Sequence, residues 1–447
     1  MSELQTYAVF VVFAGVILLI AVNAIDMTLA VMLGASVLMI LGSLTQQDVI
    51  SSLKSSEGML SLLFGGMIVA RTLVPTGIFE HLGTRFLLAT RGSGKRFLLL
   101  LIAMVAPICA FLPNATTVIL LAPIVIRVAL ALEVDFVGPM VLTAIVSNSA
   151  GLLTLVGDPA TFLVGSSIGM TFGQYLRHVS LGGLLAVLIV IPLLPKVMRE
   201  IWNVRRELPA DLQPQPIGRP RLCAAALTVL ALMIVLFVFG EDLPSDLVAP
   251  SVAFIGGSLA LLVISASKVE PIEKILRDVD WKTLAFLCCM FWLVEAFTKT
   301  GVVQALSNHM YAGFGGQLWQ VALVMLAGIA LASSVLANTP VVAAAILLIK
   351  GYLVAAELVP EHALGPTFTA WPQPTLPLFI SMMFGATLGG NSTLIGAAAN
   401  VVSAGICAAN GKRLTFATFL RYGIPITVLQ LTVSAVYVLL LFYAIGR

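Results

Sequence analysis

Runs of apolar residues recur along the chain at 7–23, 27–43 and 59–77, then over 97–132 with an interruption at Pro113-Asn114, over 138–169 with an interruption at 147–160, and at 180–195. About 20 apolar residues cross a hydrocarbon core of about 30 Å, so each unbroken run predicts a membrane-spanning helix. A polar, proline-bearing, basic segment follows at 196–221. The order then returns: 221–239, 249–265, 283–300, a stretch over 317–356 interrupted at Asn338-Thr339-Pro340, one over 374–408 interrupted at 389–400, and 424–444. The pattern predicts an all-α polytopic membrane protein with a first repeat at 1–195, a linker at 196–221 and a second repeat at 222–447.

Register supports the repeat. An offset of 224 places Thr76-Gly77 on Thr300-Gly301, and Leu112 and Asn114 on Leu336 and Asn338. An offset of 239 places Gly151, Thr154, Leu155, Gly157 and Ala160 on Gly390, Thr393, Leu394, Gly396 and Ala399. The extra fifteen residues fit a longer loop around "ELVPEHALGPTFTAWPQP". If each stretch broken at asparagine is a re-entrant hairpin, each repeat crosses the membrane about five times, and an odd number of crossings inverts the second half against the first. With the linker in the cytoplasm, eighteen of the twenty-four Lys and Arg fall on that side. Lys54, Arg177, Lys299, Lys350 and Arg447 fall outside. This bias predicts a multi-pass protein with both termini external.

Composition fits this class. Sixty per cent of the 447 residues are hydrophobic and ten per cent charged, and the mean hydropathy is +1.07. The net charge of +3 gives no reason to expect a nucleic-acid partner. The five cysteines lack zinc-ligand spacing and are read as packing residues, with the adjacent Cys288 and Cys289 as the exception to watch. No metal or cofactor is expected. The start "MSELQTY" has no basic segment, so no cleaved signal peptide is expected.

The interruptions carry the chemistry. An unpaired backbone N–H or C=O in lipid costs several kcal/mol, so a broken helix persists only where protein or a water-filled cavity satisfies the freed groups. "SAG" at 149–151 alone reads as close helix packing. "GDP" at 157–159 together with "GGNSTLIGAAAN" at 389–400 concentrates Gly, Asn, Ser, Thr and Pro at equivalent places twice. "FLPNATT" and "VLANTPV" place amides and hydroxyls at the hairpin tips. Three charges fall well inside the expected spans: Arg71, Asp158 and Glu295. The offset of 224 pairs Arg71 with Glu295 as opposite charges at equivalent positions, which predicts two scaffold charges acting jointly. Asp158 lies in a break with no cation nearby in sequence, and its counterpart is Ala397. It is the candidate carrier of a coupling proton, with helix capping as its structural alternative.

These residues resemble a known family. "TLVGDPAT" resembles the signature "TLIGDPPN", and "GGNSTLIGAAANVV" resembles "GGNGTLIGASANVV". Both belong to the ion-transporter superfamily, in the branch of arsenite permeases, NhaD-type sodium/proton antiporters and the melanosomal P protein. "APIVIRVALALEVD" ahead of the first break is similar to the P-protein layout. The resemblance covers nearly the whole chain. It implies an elevator-type secondary transporter, usually a homodimer, in the plasma membrane, with its site between hairpin tips and broken helices. Carried over, that site comprises Asn114, Thr116, Thr154, Gly157, Asp158, Asn338, Thr339, Asn391, Thr393, Gly396 and Asn400, with Asn148 from the first interruption. Where relatives often carry Asp-Asn at the tips, this chain has Pro113 and Ala337. The Asn that closes the first signature is Thr161 here. Fewer acids in the pore argue against sodium/proton exchange. They favour proton-coupled efflux of arsenite- or antimonite-like oxyacids, with a sodium/proton antiporter or an anion symporter of dicarboxylate or sulfate type as alternatives. A channel predicts a continuous polar stripe, and an enzyme a nucleophile with a base; neither pattern is present in the sequence.

Overall fold

The computed structural model describes residues 3–21, 25–207, 216–245, 247–364 and 368–445. Residues 208–215 of the expected linker, and the terminal residues, lie outside them. Among the described residues twenty-two α-helices follow one another, and the only β pairing is an isolated bridge between Ser93 and Arg205. Among the described residues, ten helical segments are long and apolar enough to cross a membrane.

The first half runs α1 (Glu3–Ala21), α2 (Met27–Ile40), α3 (Gln46–Leu73), α4 (Ile78–Thr90), α5 (Gly94–Cys109), α6 (Asn114–Ala131), α7 (Val137–Ala150), α8 (Pro159–Ser167), α9 (Phe172–His178) and α10 (Ser180–Leu188). Two short helices follow, α11 (Leu194–Val197) across the start of the linker and α12 (Arg199–Trp202) within it. The second half runs α13 (Pro220–Phe239), α14 (Ala249–Ser267), α15 (Ile272–Arg277), α16 (Trp281–Thr298), α17 (Val302–Phe314), α18 (Leu318–Val335), α19 (Asn338–Ala355), α20 (Leu376–Gly389), α21 (Ala398–Ala409) and α22 (Phe416–Ile445). Thus α5–α6 and α18–α19 are the two hairpins, while α7–α8 and α20–α21 are the two broken helices.

Two features exceed the hydropathy reading. Helix α3 begins at Gln46, well before the apolar run, because Thr45 and Asp48 form a reciprocal capping box that starts the helix in polar sequence. Helices α4 and α17 fall between the apolar runs. Each follows a glycine in the left-handed region, Gly77 at φ 77° and Gly301 at φ 75°, which turns the chain sharply off the preceding helix.

The halves are inverted. The end of α3 touches the linker, where the Arg219 backbone N–H donates to the Thr76 carbonyl at 3.0 Å. The start of α3 touches the end of α16, where Lys299 pairs with Asp48. So α4 leaves α3 on the linker face, and its counterpart α17 leaves α16 on the opposite face. Helix α3 packs on α14, and α2 on α16, across the pseudosymmetry. Helix α8 packs on the hairpin arm α19, and α21 on α6, so each broken helix embraces the other half's hairpin.

This geometry corrects the expected charge pairing. Arg71 and Glu295 are equivalent residues of inverted halves, so they sit at opposite faces and do not meet. Arg71 instead donates to Glu270 at 2.9 Å and to Asp278 at 2.8 Å. Glu295 faces the pair of Lys299 and Asp48. Lys350, counted from the sequence among the cations of the outer side, lies within α19 and is only 3% exposed.

Candidate functional site

Both breaks are built alike. After α7 the chain leaves helical geometry at 151–158, and after α20 at 390–397. Asp158 and Ala397 take the same extended backbone before α8 and α21, at φ −140°, ψ 133° and φ −146°, ψ 149°. Pro159 follows at the first helical position, where its missing N–H leaves no partner unmade. The Thr154 hydroxyl donates to the Ala110 carbonyl, and the Thr393 hydroxyl to the Ser334 carbonyl. These two bonds, related by the repeat, tie each break to the hairpin of its own half. Gly157 and Gly396 allow the close approach. A Cβ on Gly157 would lie 2.8 Å from the Gly151 carbonyl oxygen, and one on Gly396 2.7 Å from that of Gly390.

The hairpin tips bring their amides to one point. Asn114 and Asn338 each open the second arm of a hairpin, after Pro113 and Ala337. Asn338 Nδ2 donates to Asp158 Oδ2 at 3.0 Å and lies 3.3 Å from Oδ1. Asn114 also reaches the Asp158 carboxylate, and its own amide oxygen is buried without a hydrogen-bond partner. Asp158 is fully buried, and its Oδ1 accepts the Ala160 backbone N–H at 2.8 Å, which caps α8. Ala397 offers no such cap, yet α21 starts with the same geometry. The carboxylate is therefore not required to make the break.

Asn148, Asn391 and Asn400 form a buried network between the two breaks. Asn148 Nδ2 is 3.1 Å from Asn391 Oδ1 and 3.0 Å from Asn400 Oδ1. Asn391 Nδ2 donates to Ser149 and Gln430 at 2.9 and 3.0 Å. Asn400 Nδ2 serves the carbonyls of Gly390 and Thr393, both at 2.8 Å. Gln430 Nε2 completes the set on Ser149 and the Ala186 carbonyl, both at 2.8 Å. In this conformation the three asparagines clamp one break against the other. Ser149, read from the sequence as a packing residue of "SAG", and Gln430, not named there, both belong to this network; the one signal for Gln430 was an amide within the final apolar run.

Thr339 lies beside Asn338, whose Oδ1 accepts the Thr339 backbone N–H at 3.0 Å. Thr116 instead lines a cavity of about 560 Å³ between α6 and the ends of α3 and α15. Its walls include Arg71, Asp278, Asp280, Pro123 and Arg127, and its inner end reaches Ala115 and Thr116, next to Asn114. The cavity lies on the linker face: Glu133, just past the end of α6, pairs with Arg206 of the linker at 2.9 Å. The arrangement is a buried carboxylate under two converging amides, with a cavity on the linker face that has two arginines in its wall and extends to Ala115, next in the chain to Asn114.

Comparisons with known proteins agree with this architecture. The family model described as CitMHS, citrate transporter, matches residues 17–371. An uncharacterised transporter of Synechocystis sp. is 43% identical over 428 residues, covering 96% of this chain and 95% of its own length. An uncharacterised transporter of Mycobacterium tuberculosis is 31% identical, covering 97% and 98%. The human P protein is 27% identical over 99% of this chain and 61% of its own length. Among solved structures, the YdaH transporter of Alcanivorax borkumensis shares the fold, with a TM-score of 0.60 at 11% identity over 89% of this chain and 87% of that one.

Proposed function

The chain belongs to the CitMHS citrate transporter family, and from that premise we propose that it is a proton-coupled secondary transporter in which Asp158 carries the coupling proton. The observation that carries this reading is the convergence of Asn114 and Asn338, one from each half, on a single buried carboxylate. A group held between two hairpins feels both when either moves. The contrast with Ala397 supports a role beyond capping. Ionisable residues at membrane depth serve transport more often than structure.

The substrate is a small oxygen-rich species held by amides, hydroxyls and the free backbone groups of the breaks. Arsenite- and antimonite-like oxyacids suit a site so poor in side-chain charge. A carboxylate anion is the second reading, favoured by Arg71 and Arg127 in the cavity wall and by the family's description. Elevator motion of the hairpins and broken helices against α2, α3, α14 and α16, a homodimer in the plasma membrane, and external termini complete the proposal. Proteoliposomes carrying an imposed pH gradient test it. Uptake or efflux of arsenite or citrate that follows the gradient supports the reading. Movement driven by sodium alone, with no response to pH, contradicts it.

A further inference from the structure

Two cavities flank helix α6 on the linker side of the meeting point at Asp158. The first, of about 560 Å³, lies between α6, α4 and the end of α3. The second, of about 540 Å³, lies between α6 and α21, where Ile406 and Asn410 border it. They share one wall. Ile119, Pro123 and Arg127 follow one another at intervals of four residues and form a ridge along α6 that separates the two. All three are exposed, as is Leu130 one turn further on.

Depth sets what can fill these cavities. The hairpins enter from opposite faces and their tips meet at Asp158, so Asn114 marks the interior of the bilayer. Arg127 lies further along α6 by about 20 Å, at about 1.5 Å per residue, whereas half of the hydrocarbon core measures about 15 Å. The ridge therefore runs from hydrocarbon depth to the headgroup level of the linker-side leaflet, and Arg127 stands at that level. Beside Ile119 and Pro123 the walls are apolar, with Leu120 and Ile124 on one side and Ala122 and Ile126 on the other. Apolar walls at that depth favour an acyl chain over water.

Arg127 is free to take an anion, since it forms no ion pair among the described residues. The acids around it are committed: Asp278 to Arg71 at 2.8 Å, Glu133 to Arg206 at 2.9 Å, Asp135 to Lys412 at 3.1 Å, and Asp280 to the Thr283 backbone N–H at 3.0 Å as the cap of α16. The repeated fold does not demand a cation here either. The offset of 224 puts Gly351 at this position in the second half, where a Cβ would lie 2.3 Å from the Ser307 hydroxyl of α17.

We propose that the ridge of α6 is a binding site for an anionic phospholipid of the linker-side leaflet, with its phosphate on Arg127 and its two acyl chains in the grooves on either side of Ile119 and Pro123. The match is one of charge as well as shape: an unpaired guanidinium at headgroup level, continuous with two apolar grooves. The proposal goes beyond the transport reading and stands without it. It gives Arg127 a use other than lining a path for a soluble anion.

The test reads binding, not transport. The full chain in detergent is titrated with dioleoylphosphatidylglycerol, and the complexes are resolved by native mass spectrometry. One tightly held lipid per chain is expected. Arg127→Gln weakens it about tenfold to a hundredfold, the loss of one hydrogen bond to a charged group, and Arg127→Lys, which keeps the charge, loses less. Ile119→Trp, at an exposed position, crowds the grooves beside an intact Arg127 and weakens the lipid as well. A wild type that holds no phosphatidylglycerol overturns the proposal, as does binding that Arg127→Gln leaves unchanged or that phosphatidylcholine matches. Displacement of the lipid by citrate assigns Arg127 to a soluble anion and overturns it too. If Ile119→Cys, oxidised in the membrane, links two chains where the wild type does not, the face is an interface between copies and the lipid site is refuted.

Discussion

Asn338, at the tip of the second hairpin, donates its amide to Asp158, in the broken helix of the first half, at 3.0 Å. The two residues are 180 positions apart and meet only because the halves are inverted and each broken helix packs on the other half's hairpin. Asn114 approaches the same carboxylate from the first hairpin. Removal of either amide leaves a buried acceptor short of a donor, which typically costs about 1–3 kcal/mol. Asn338→Ala and Asn114→Ala are therefore expected to lower thermal stability in detergent by that order and to slow transport, with the double variant departing from additivity. Strict additivity contradicts a shared partner.

Gly157 and Gly396 are expected to tolerate no side chain. Alanine at 157 sets a methyl 2.8 Å from the Gly151 carbonyl oxygen, and alanine at 396 sets one 2.7 Å from that of Gly390. Both obstacles are backbone and cannot rotate away, so each substitution costs about 1–3 kcal/mol, as overpacking does. Gly405→Ala in α21, where nothing lies within 4 Å, is the control and is expected to be neutral or stabilising. Melting curves of the three variants check the contrast.

Arg71 is expected to couple to Glu270 and not to Glu295. In double-mutant cycles on unfolding, Arg71→Gln with Glu270→Gln shows an interaction energy of about 0.5–3 kcal/mol, whereas Arg71→Gln with Glu295→Gln is additive within about 0.5 kcal/mol. Coupling to Glu295 of the same size contradicts the placement of the two residues at opposite faces.

The Glu270 cluster also gives a pH signature. Partial burial pushes the Glu270 carboxyl upward, but Lys274 and Arg71 beside it outweigh this and hold it below the usual 4.5. A carboxyl depressed in the folded state contributes stability that is present above its unfolded value and lost as pH falls through the folded value. The melting temperature of the wild type over Glu270→Gln is thus expected to stay constant from neutral pH down to about 5 and to shrink below about 4.5. A gap that instead widens on acidification contradicts the cluster.

The sequence made the broken helices legible because Gly, Pro, Asn and Asp interrupt apolar runs where lipid tolerates no loose backbone. The breaks fall at 151–158 and 390–397, inside the expected 147–160 and 389–400. Helices α4 and α17 were not legible, since their polar residues dissolve the apolar run, and the first turns of α3 rest on a capping box instead of on hydropathy. The offset makes Arg71 and Glu295 equivalent, but equivalence under inversion means separation, and that follows only from three dimensions. Gln430 and Lys350 escaped for a related reason. The partners of Gln430 come from α7, α10 and the second break, and Trp371, which covers Lys350, comes from beyond the end of α19, so neither environment is written near the residue.

The central claim is that Asp158 carries the coupling proton, and the Asp158→Asn variant tests it most directly. The amide keeps the side chain's size and fixes it neutral. Proton movement is followed with a pH-sensitive dye trapped in proteoliposomes while a substrate gradient is imposed, beside substrate exchange across the same vesicles at equal pH. The account predicts that Asp158→Asn inserts normally, retains substrate exchange and moves no protons. Proton movement at the wild-type stoichiometry and with unaltered pH dependence in Asp158→Asn contradicts it, and leaves Asp158 as the cap of α8 alone.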